Sequence, residues 1–184
     1  VTVELTNGNN RLPPVTVLTL GGIPPGVAGS TQANGRLVLD GVSQELAGLV
    51  SLGGGTNNRI VSSTPELCMV TVNAASGTLY SYRGVIGGPF LNENNLAVLK
   101  RGLGSQTFGG PNTYTGTTVV AAGVLEASNS LALGTTSEGT VVSNAAQLRL
   151  AGGIVIDETL TLTGSGPSGS NLGSVRSVNG TNVV

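Results

Sequence analysis

The amino-acid sequence predicts an all-β chain, and among all-β folds it favours a β-solenoid, in which successive backbone coils stack on one another. Short runs of alternating apolar and polar residues recur along all 184 residues, and no long run has helical spacing. Clusters of Gly, Asn and Pro separate these runs. Aromatic residues make up only 3% of the chain, which suits a narrow interior of stacked aliphatic side chains better than a sandwich core.

Each run of alternating residues predicts a short strand with one buried side. In the clearest cases, Leu148 and Leu150 alternate with polar neighbours, as do Leu160 and Leu162, so these leucines are expected to point inward. In chain order the predicted strands are VTVEL (1–5), VTVLTL (15–20), RLVLDG (36–41), NRIVSS (58–63), LCMVTVN (67–73), LYSYRGVIG (79–87), LAVLK (96–100), TTVVAAGVLEA (117–127), TVVSNAAQLRL (140–150) and TLTLTGSG (159–166).

The turns between the predicted strands are rich in Gly and Asn. The Asn-Gly pairs at 7–8, 34–35 and 179–180 predict tight turns with positive φ, and GGIPPGVAG at 21–29 is interpreted as a loop insertion. A polar-Leu-polar-Leu-x-Gly phrase recurs, as expected for stacked coils. At about 20–25 residues a coil, the chain would form roughly eight coils and a rod roughly 40 Å long.

Composition excludes several classes of function. Charged residues make up 9% of the chain, its net charge is −1 and its cations are scattered, so we expect no binding to nucleic acid. No apolar run approaches the roughly 18 residues of a spanning helix, so we expect no membrane insertion by this segment. The one cysteine, Cys68, cannot form an internal disulfide, and it alternates in phase with Val70 and Val72, which predicts a small buried hydrophobe.

The sequence offers no recognisable catalytic, cofactor-binding or metal-binding residues, and we expect that the chain is not an enzyme. It has no His, which excludes Ser-His-Asp and Cys-His arrangements within the chain and removes the main zinc ligand. Its two aspartates are too few for a calcium-binding β-roll. The single acidic doublet, Asp157 and Glu158, is expected to form a solvated turn, because adjacent strand residues point to opposite faces.

Two sets of residues are candidates for binding. Tyr80, Tyr82 and Arg83 form the most ligand-like cluster, a possible patch for a glycan or a protein, although packing at the rim of the solenoid is the simpler interpretation. The strand-like ends would leave open edges on which copies of the chain or neighbouring repeats could stack. No signal peptide precedes VTVELTNGNN, and we expect a single solenoid segment over 1–184 that is cut from, or is a mature unit of, a longer protein or polymer. The predicted edge residues are Val1, Val3, Leu5, Val183 and Val184.

A longer motif indicates which kind of β-solenoid protein this chain resembles. Residues 102–134 combine a Gly-x-Gly lead-in with NTYTG at 112–116, TTV at 117–119 and AAGVLEASNSLALG at 121–134. VVSNAAQLRLAGG at 141–153 and LTLTGSG at 160–166 follow. This order resembles the autotransporter-associated β-strand repeat, also called the passenger-associated transport repeat, of bacterial surface proteins. The best match covers 102–166, and weaker similarity over 36–63 and 81–88 extends the resemblance to most of the chain.

The resemblance implies a right-handed parallel β-helix that serves as a stalk or passenger outside a bacterial cell, as a secreted or surface protein with an adhesive or protective structural role. The closest alternative is a subunit that assembles end to end into an extracellular filament. A carbohydrate-binding module and a polysaccharide-cleaving β-helix are weaker alternatives. The expected partners are neighbouring repeats or other copies of the chain, and glycans or host surface proteins.

Overall fold

The computed structural model describes residues 1–22, 33–52, 57–167 and 172–184. Within these residues the chain forms strands and turns without any helix, so the all-β prediction is confirmed. Accordingly, the described residues hold no helix of the length and apolarity needed to cross a membrane. The predicted loop insertion at 21–29 lies outside the described residues except for Gly21 and Gly22.

The strands are short and follow one another closely along the chain. They are β1 (Thr2–Leu5), β2 (Val17–Leu20), β3 (Arg36–Leu39), β4 (Gln44–Leu46), β5 (Gly48–Ser51), β6 (Arg59–Ser62), β7 (Cys68–Asn73), β8 (Leu79–Tyr82), β9 (Val85–Ile86), β10 (Leu96–Arg101), β11 (Ser105–Phe108), β12 (Thr118–Val120), β13 (Gly123–Ala127), β14 (Thr140–Val142), β15 (Ala146–Ala151), β16 (Leu160–Leu162) and β17 (Val175–Asn179).

The strands stack into three walls, and every strand pairing is parallel. The first wall is β1-β3-β6-β9, and the second is the six-stranded sheet β16-β14-β12-β10-β7-β4. The third wall consists of β17-β15-β13-β11-β8 and the separate pair β2-β5. From β3 to β11 the chain visits the three walls in turn, and the predicted parallel β-helix is confirmed. Its right-handed sense stays a prediction.

The coils differ in length and in regularity. Arg36 lies beside Arg59, and Thr118 beside Thr140, which agrees with the predicted coil length. The first coil is longer, because it contains the 21–29 segment between Thr2 and its register partner Arg36. From the fifth coil onward the first wall contains no regular strand within the described residues.

The interior is filled by aliphatic columns, with one residue from each coil above the next. Leu37 and Ile60 are in register and are 1% and 0% exposed. Leu125 and Leu148 form a similar pair, both 0% exposed. Each fully buried Leu or Ile contributes about 1.5–3 kcal/mol relative to an exposed one. The inward direction predicted for Leu148 is therefore confirmed.

Other predicted inward residues occupy the same interior. Leu150 is 3% exposed and Cys68 is 1% exposed, and Cys68 shares its strand face with Val70 and Val72. Cys68 is therefore a buried apolar residue, as predicted. Leu162 is in register with the fully buried Val142 and so points the same way, yet it is 49% exposed. β16 is the last strand of its sheet, and no further described strand covers it.

The Asn-Gly pairs do not all form turns. Asn7 and Gly8 have φ of 62° and 117°, and Gly180 has φ of 77°, as predicted. The prediction for 34–35 is wrong, because neither residue there has positive φ. Gly35 instead leads directly into β3 and its N–H donates to Asn58 Oδ1 at 2.7 Å. A Cβ at Gly35 would lie 3.0 Å from Leu20 Cδ2, so close packing favours glycine there.

Candidate functional site

Tyr82 is part of the core and not of a surface patch. Its ring is 0% exposed, and its register partner Phe108 is 1% exposed. Tyr80 and Tyr82 do share a strand face, as alternation predicts, but that face points inward. The predicted cluster of Tyr80, Tyr82 and Arg83 is therefore corrected: Tyr82 cannot contact a ligand.

Tyr80 keeps part of its ring exposed because the third wall is interrupted beside it. β5 and β8 lie next to each other but do not form a ladder. The Tyr80 ring lies against Gly48, where a Cβ would be 2.3 Å from Tyr80 Cδ2. A larger residue at 48 would thus displace the ring.

A buried glutamine replaces the missing ladder between the two halves of this wall. Gln106 lies on β11, in register with Tyr80, and is 0% exposed. Its Oε1 accepts from Leu49 N–H and its Nε2 donates to Leu49 O, both at 3.0 Å. One side-chain amide therefore satisfies both backbone groups of Leu49, as a paired strand would do.

A shallow groove follows this interruption on the outside. Its lining includes Tyr80, Leu79 and Arg83 from β8 and the following turn, with Val50 and Ser51 from β5. The Arg83 backbone N–H donates to Ser51 Oγ at 2.8 Å, which ties the two edges of the groove together. Of the three residues in the predicted patch, Tyr80 and Arg83 line this groove, and they provide an aromatic side chain and a cation.

The acidic doublet borders a second, largely apolar groove formed with Leu131 and Val155. Glu158 is partly buried, and its Oε1 accepts from Thr140 Oγ1 at 2.6 Å. Burial raises the pKa of Glu158, although the bond from Thr140 opposes the shift. Asp157 is exposed. The solvated-turn prediction therefore describes Asp157, while Glu158 is held against the neighbouring coil.

Lys100 is a buried polar residue for which the sequence analysis had no role. It is 0% exposed, and its Nζ donates to Arg101 O and Gly102 O at 2.8 Å and to Ala122 O at 3.2 Å. Burial lowers the pKa of Lys100 to about 8. The ammonium thus joins a corner of one coil to the corner of the next. Its position in phase with Leu96 and Val98 was the signal that could have revealed it.

The remaining charged groups mostly hold coils together. Glu93 forms an ion pair with Arg36, and Glu45 forms one with Arg101. The hydrogen bond from Arg101 lowers the pKa of Glu45. Over the ranges that the structure describes, no group of three His, Cys, Asp or Glu side chains could hold a metal ion.

The predicted edge residues differ in exposure. Val1 is 89% and Val3 is 46% exposed, whereas Leu5 is 6% exposed and belongs to the core. Val183 and Val184 are 51% and 69% exposed. Val183 forms an isolated parallel bridge with Val155. Of the predicted edge, all but Leu5 are accessible.

Comparison with known protein families gives a match to part of the chain. Residues 98–127 match the passenger-associated transport repeat, and they cover most of β10 and all of β11, β12 and β13. No curated protein and no solved structure matches the chain.

The match over residues 98–127 confirms the resemblance found in the sequence. The matched residues include Lys100 and the three carbonyl groups that it binds. The extension of the repeat to residue 166 stays a prediction. A repeat of this family indicates a passenger domain of the bacterial autotransporter type, in a secreted or cell-surface protein.

Proposed function

We propose that the chain is a structural segment of a bacterial passenger: a stiff β-helical stalk that presents an adhesive or protective surface away from the cell. The observation that carries this proposal is a continuous, mainly aliphatic core from Leu5 to Ile156, within which the passenger-associated transport repeat lies. Each coil pairs with its neighbours through parallel ladders. A stack with strands about 4.8 Å apart is suited to spanning distance rather than to enclosing a substrate.

We also propose that this segment has no enzymatic activity. Three of the carboxylates are engaged in structural bonds: Glu45 and Glu93 with arginines and Glu158 with Thr140. Acid-base cleavage of a glycosidic bond needs two carboxyl groups facing each other across the bond. Incubation with a panel of polysaccharides should release no reducing ends, and release that is lost in Glu158→Gln would disprove the proposal.

The stalk proposal is tested by surface display. The chain is fused between a membrane anchor and an epitope tag, and access of a large antibody to the tag is measured on whole cells. Wild-type chain should expose the tag, whereas Leu148→Asp, which places a charge in the core, should reduce exposure. Leu91→Asp, at a position 88% exposed, is the matched control. Equal tag exposure in all three, at equal expression, would contradict a role for the folded rod.

A second candidate, end-to-end assembly into a filament, is supported by inward-facing residues that stay exposed. Val3 is in register with buried Leu37 and Leu162 with buried Val142, yet both are nearly half exposed. A coil from another copy would cover them. Electron microscopy and light scattering at rising concentration should then show lengthening rods, and Val3→Asp should stop growth while Val15→Asp should not. Rods of constant length would exclude this candidate.

A further inference from the structure

Two arginines lie side by side on the outside of the third wall. Arg149 lies between Leu148 and Leu150, which are 0% and 3% exposed and point inward, so Arg149 points outward. Arg176 of β17 is in register with Arg149 of β15. In-register residues of parallel strands share a face, at a spacing of about 4.8 Å. The two guanidinium groups therefore project from the same surface on adjacent strands.

This arrangement is electrostatically unfavourable as it stands. Like charges on directly neighbouring strands destabilise a sheet, and the chain has only eight cations in all. Neither arginine forms an ion pair with a carboxylate of the described residues. Glu126 of β13 is in register with Arg149 on the side away from Arg176. Its Oε1 accepts from Thr107 Oγ1 of β11 at 3.4 Å, and it forms no ion pair with Arg149 among the described residues.

A buried side chain fixes the orientation of Arg149. Gln147 is 1% exposed, and its Nε2 donates to Gly173 O while its Oε1 accepts from Arg149 Nε, both at 2.8 Å. The guanidinium is thus held at its Nε, and its terminal N–H groups have no acceptor among the described residues. Preorganised donors of this kind bind an anion at a lower entropic cost than a mobile side chain does.

The same protein contains a second in-register arginine pair that serves as an internal comparison. Arg36 and Arg59 are neighbours on β3 and β6. There the chain supplies its own anion: Glu93, whose side chain is 5% exposed, pairs with Arg36. Arg59 donates to Gly87 O at 3.4 Å. The fold thus supplies an ion pair to one arginine pair and none to the other among the described residues.

We infer that Arg149 and Arg176 form a binding site for an oxyanion group, a carboxylate or a phosphate. The planar guanidinium fork matches both groups through paired N–H donors. The anion would lie between the two side chains, accept from their terminal N–H groups and remove their mutual repulsion. This site goes beyond the proposed stalk role and does not depend on it, since binding is measured on the purified chain.

The test compares two pairs of variants that lose the same charge. Arg149→Gln with Arg176→Gln removes the site, and Arg11→Gln with Arg101→Gln removes two exposed arginines elsewhere. Polygalacturonate and inorganic phosphate are titrated separately by calorimetry at low salt. We expect the first pair to lower the affinity at least about tenfold, and the second less than about twofold. Saturable binding of only one probe identifies which oxyanion the site takes.

Thermal unfolding provides a second readout. Without added anion, Arg176→Gln should raise the melting temperature, because it removes the like-charge contact. Added anion should raise the melting temperature of the wild type and leave the melting temperature of the double variant unchanged. Circular dichroism confirms that each variant is folded. If neither probe binds, or if both pairs of variants lose affinity equally, the inference is wrong.

Discussion

Coils in the middle of the β-helix and coils at its two described ends bury equivalent side chains to different degrees. Leu150 and Leu162 both point inward, yet they are 3% and 49% exposed. Val3 is 46% exposed, while Leu37, its partner on the next coil, is 1% exposed. Alternation therefore sets the direction of a side chain, but a strand on both sides supplies its burial. Stability in this fold comes from stacking between coils, as in other repeat architectures.

The largest predicted effect tests this comparison directly. Leu150→Asp places an unpaired charge between β13 and β17 and should cost more than about 4 kcal/mol, enough to unfold the surrounding coils. Leu162→Asp should cost less than about 1 kcal/mol, because solvent already reaches that position. Urea denaturation followed by circular dichroism measures both. Equal losses would show that the end coils are as tightly packed as the middle ones.

A smaller effect is expected at the interruption between β5 and β8, where a side chain replaces a ladder. Gln106→Leu keeps the volume but leaves the N–H and O of Leu49 without their partners. Two unsatisfied buried backbone groups should cost about 2–4 kcal/mol. The neighbouring Thr107→Val, on the outer face, should cost well under 1 kcal/mol by the usual behaviour of surface positions. If both variants unfold at the same urea concentration as wild type, the glutamine bridge carries no stability.

The matched repeat differs from the other coils by its buried ammonium group, which predicts a pH dependence. Burial lowers the pKa of Lys100 from 10.5 to about 8, so between these values the unfolded chain binds more protons than the folded one. The free energy of unfolding must then stay level below that window and rise with pH across it, by on the order of 3 kcal/mol in total. The free energy of unfolding is measured for wild type and for Lys100→Met from pH 7 to 10.5. Both proteins share all other titrating groups, so the difference between their free energies reports Lys100 alone. A flat difference would mean that the three carbonyls hold the lysine protonated throughout.

The sequence predicts the strands and the side-chain directions well where only one phase of a strand is apolar. Leu148 and Leu150 are of this kind, with Gln147 and Arg149 in the other phase. In LYSYRG both phases carry large residues, and Leu79 is 81% exposed while Tyr82 is buried, so alternation alone could not tell which side is inside. Lys100 was missed because a charge at an inward position contradicts the pattern that defines the strand.

The pairing of residues between coils could not be predicted from the sequence. Arg149 meets Arg176 only because the segment between them brings β17 back in register with β15. Gln106 reaches Leu49 across a coil that contributes no ladder there. Both contacts depend on the lengths of irregular turns, and no alternation pattern encodes these lengths. The general class could therefore be predicted, whereas the sites that depend on register could not.

The smallest predicted effect concerns Tyr82, which was predicted to lie in a surface patch and is buried in the core. Tyr82 OH is buried without a hydrogen-bond partner among the described residues, and burial raises the pKa of Tyr82. Tyr82→Phe removes the unpaired hydroxyl and keeps the ring, so it should leave stability unchanged or raise it by up to about 1 kcal/mol. Tyr82→Ala should cost about 3–5 kcal/mol, because it leaves a cavity. A loss above about 1 kcal/mol in Tyr82→Phe would show that a bound water satisfies the hydroxyl, and that this corner of the coil is a hydrated site rather than dry core.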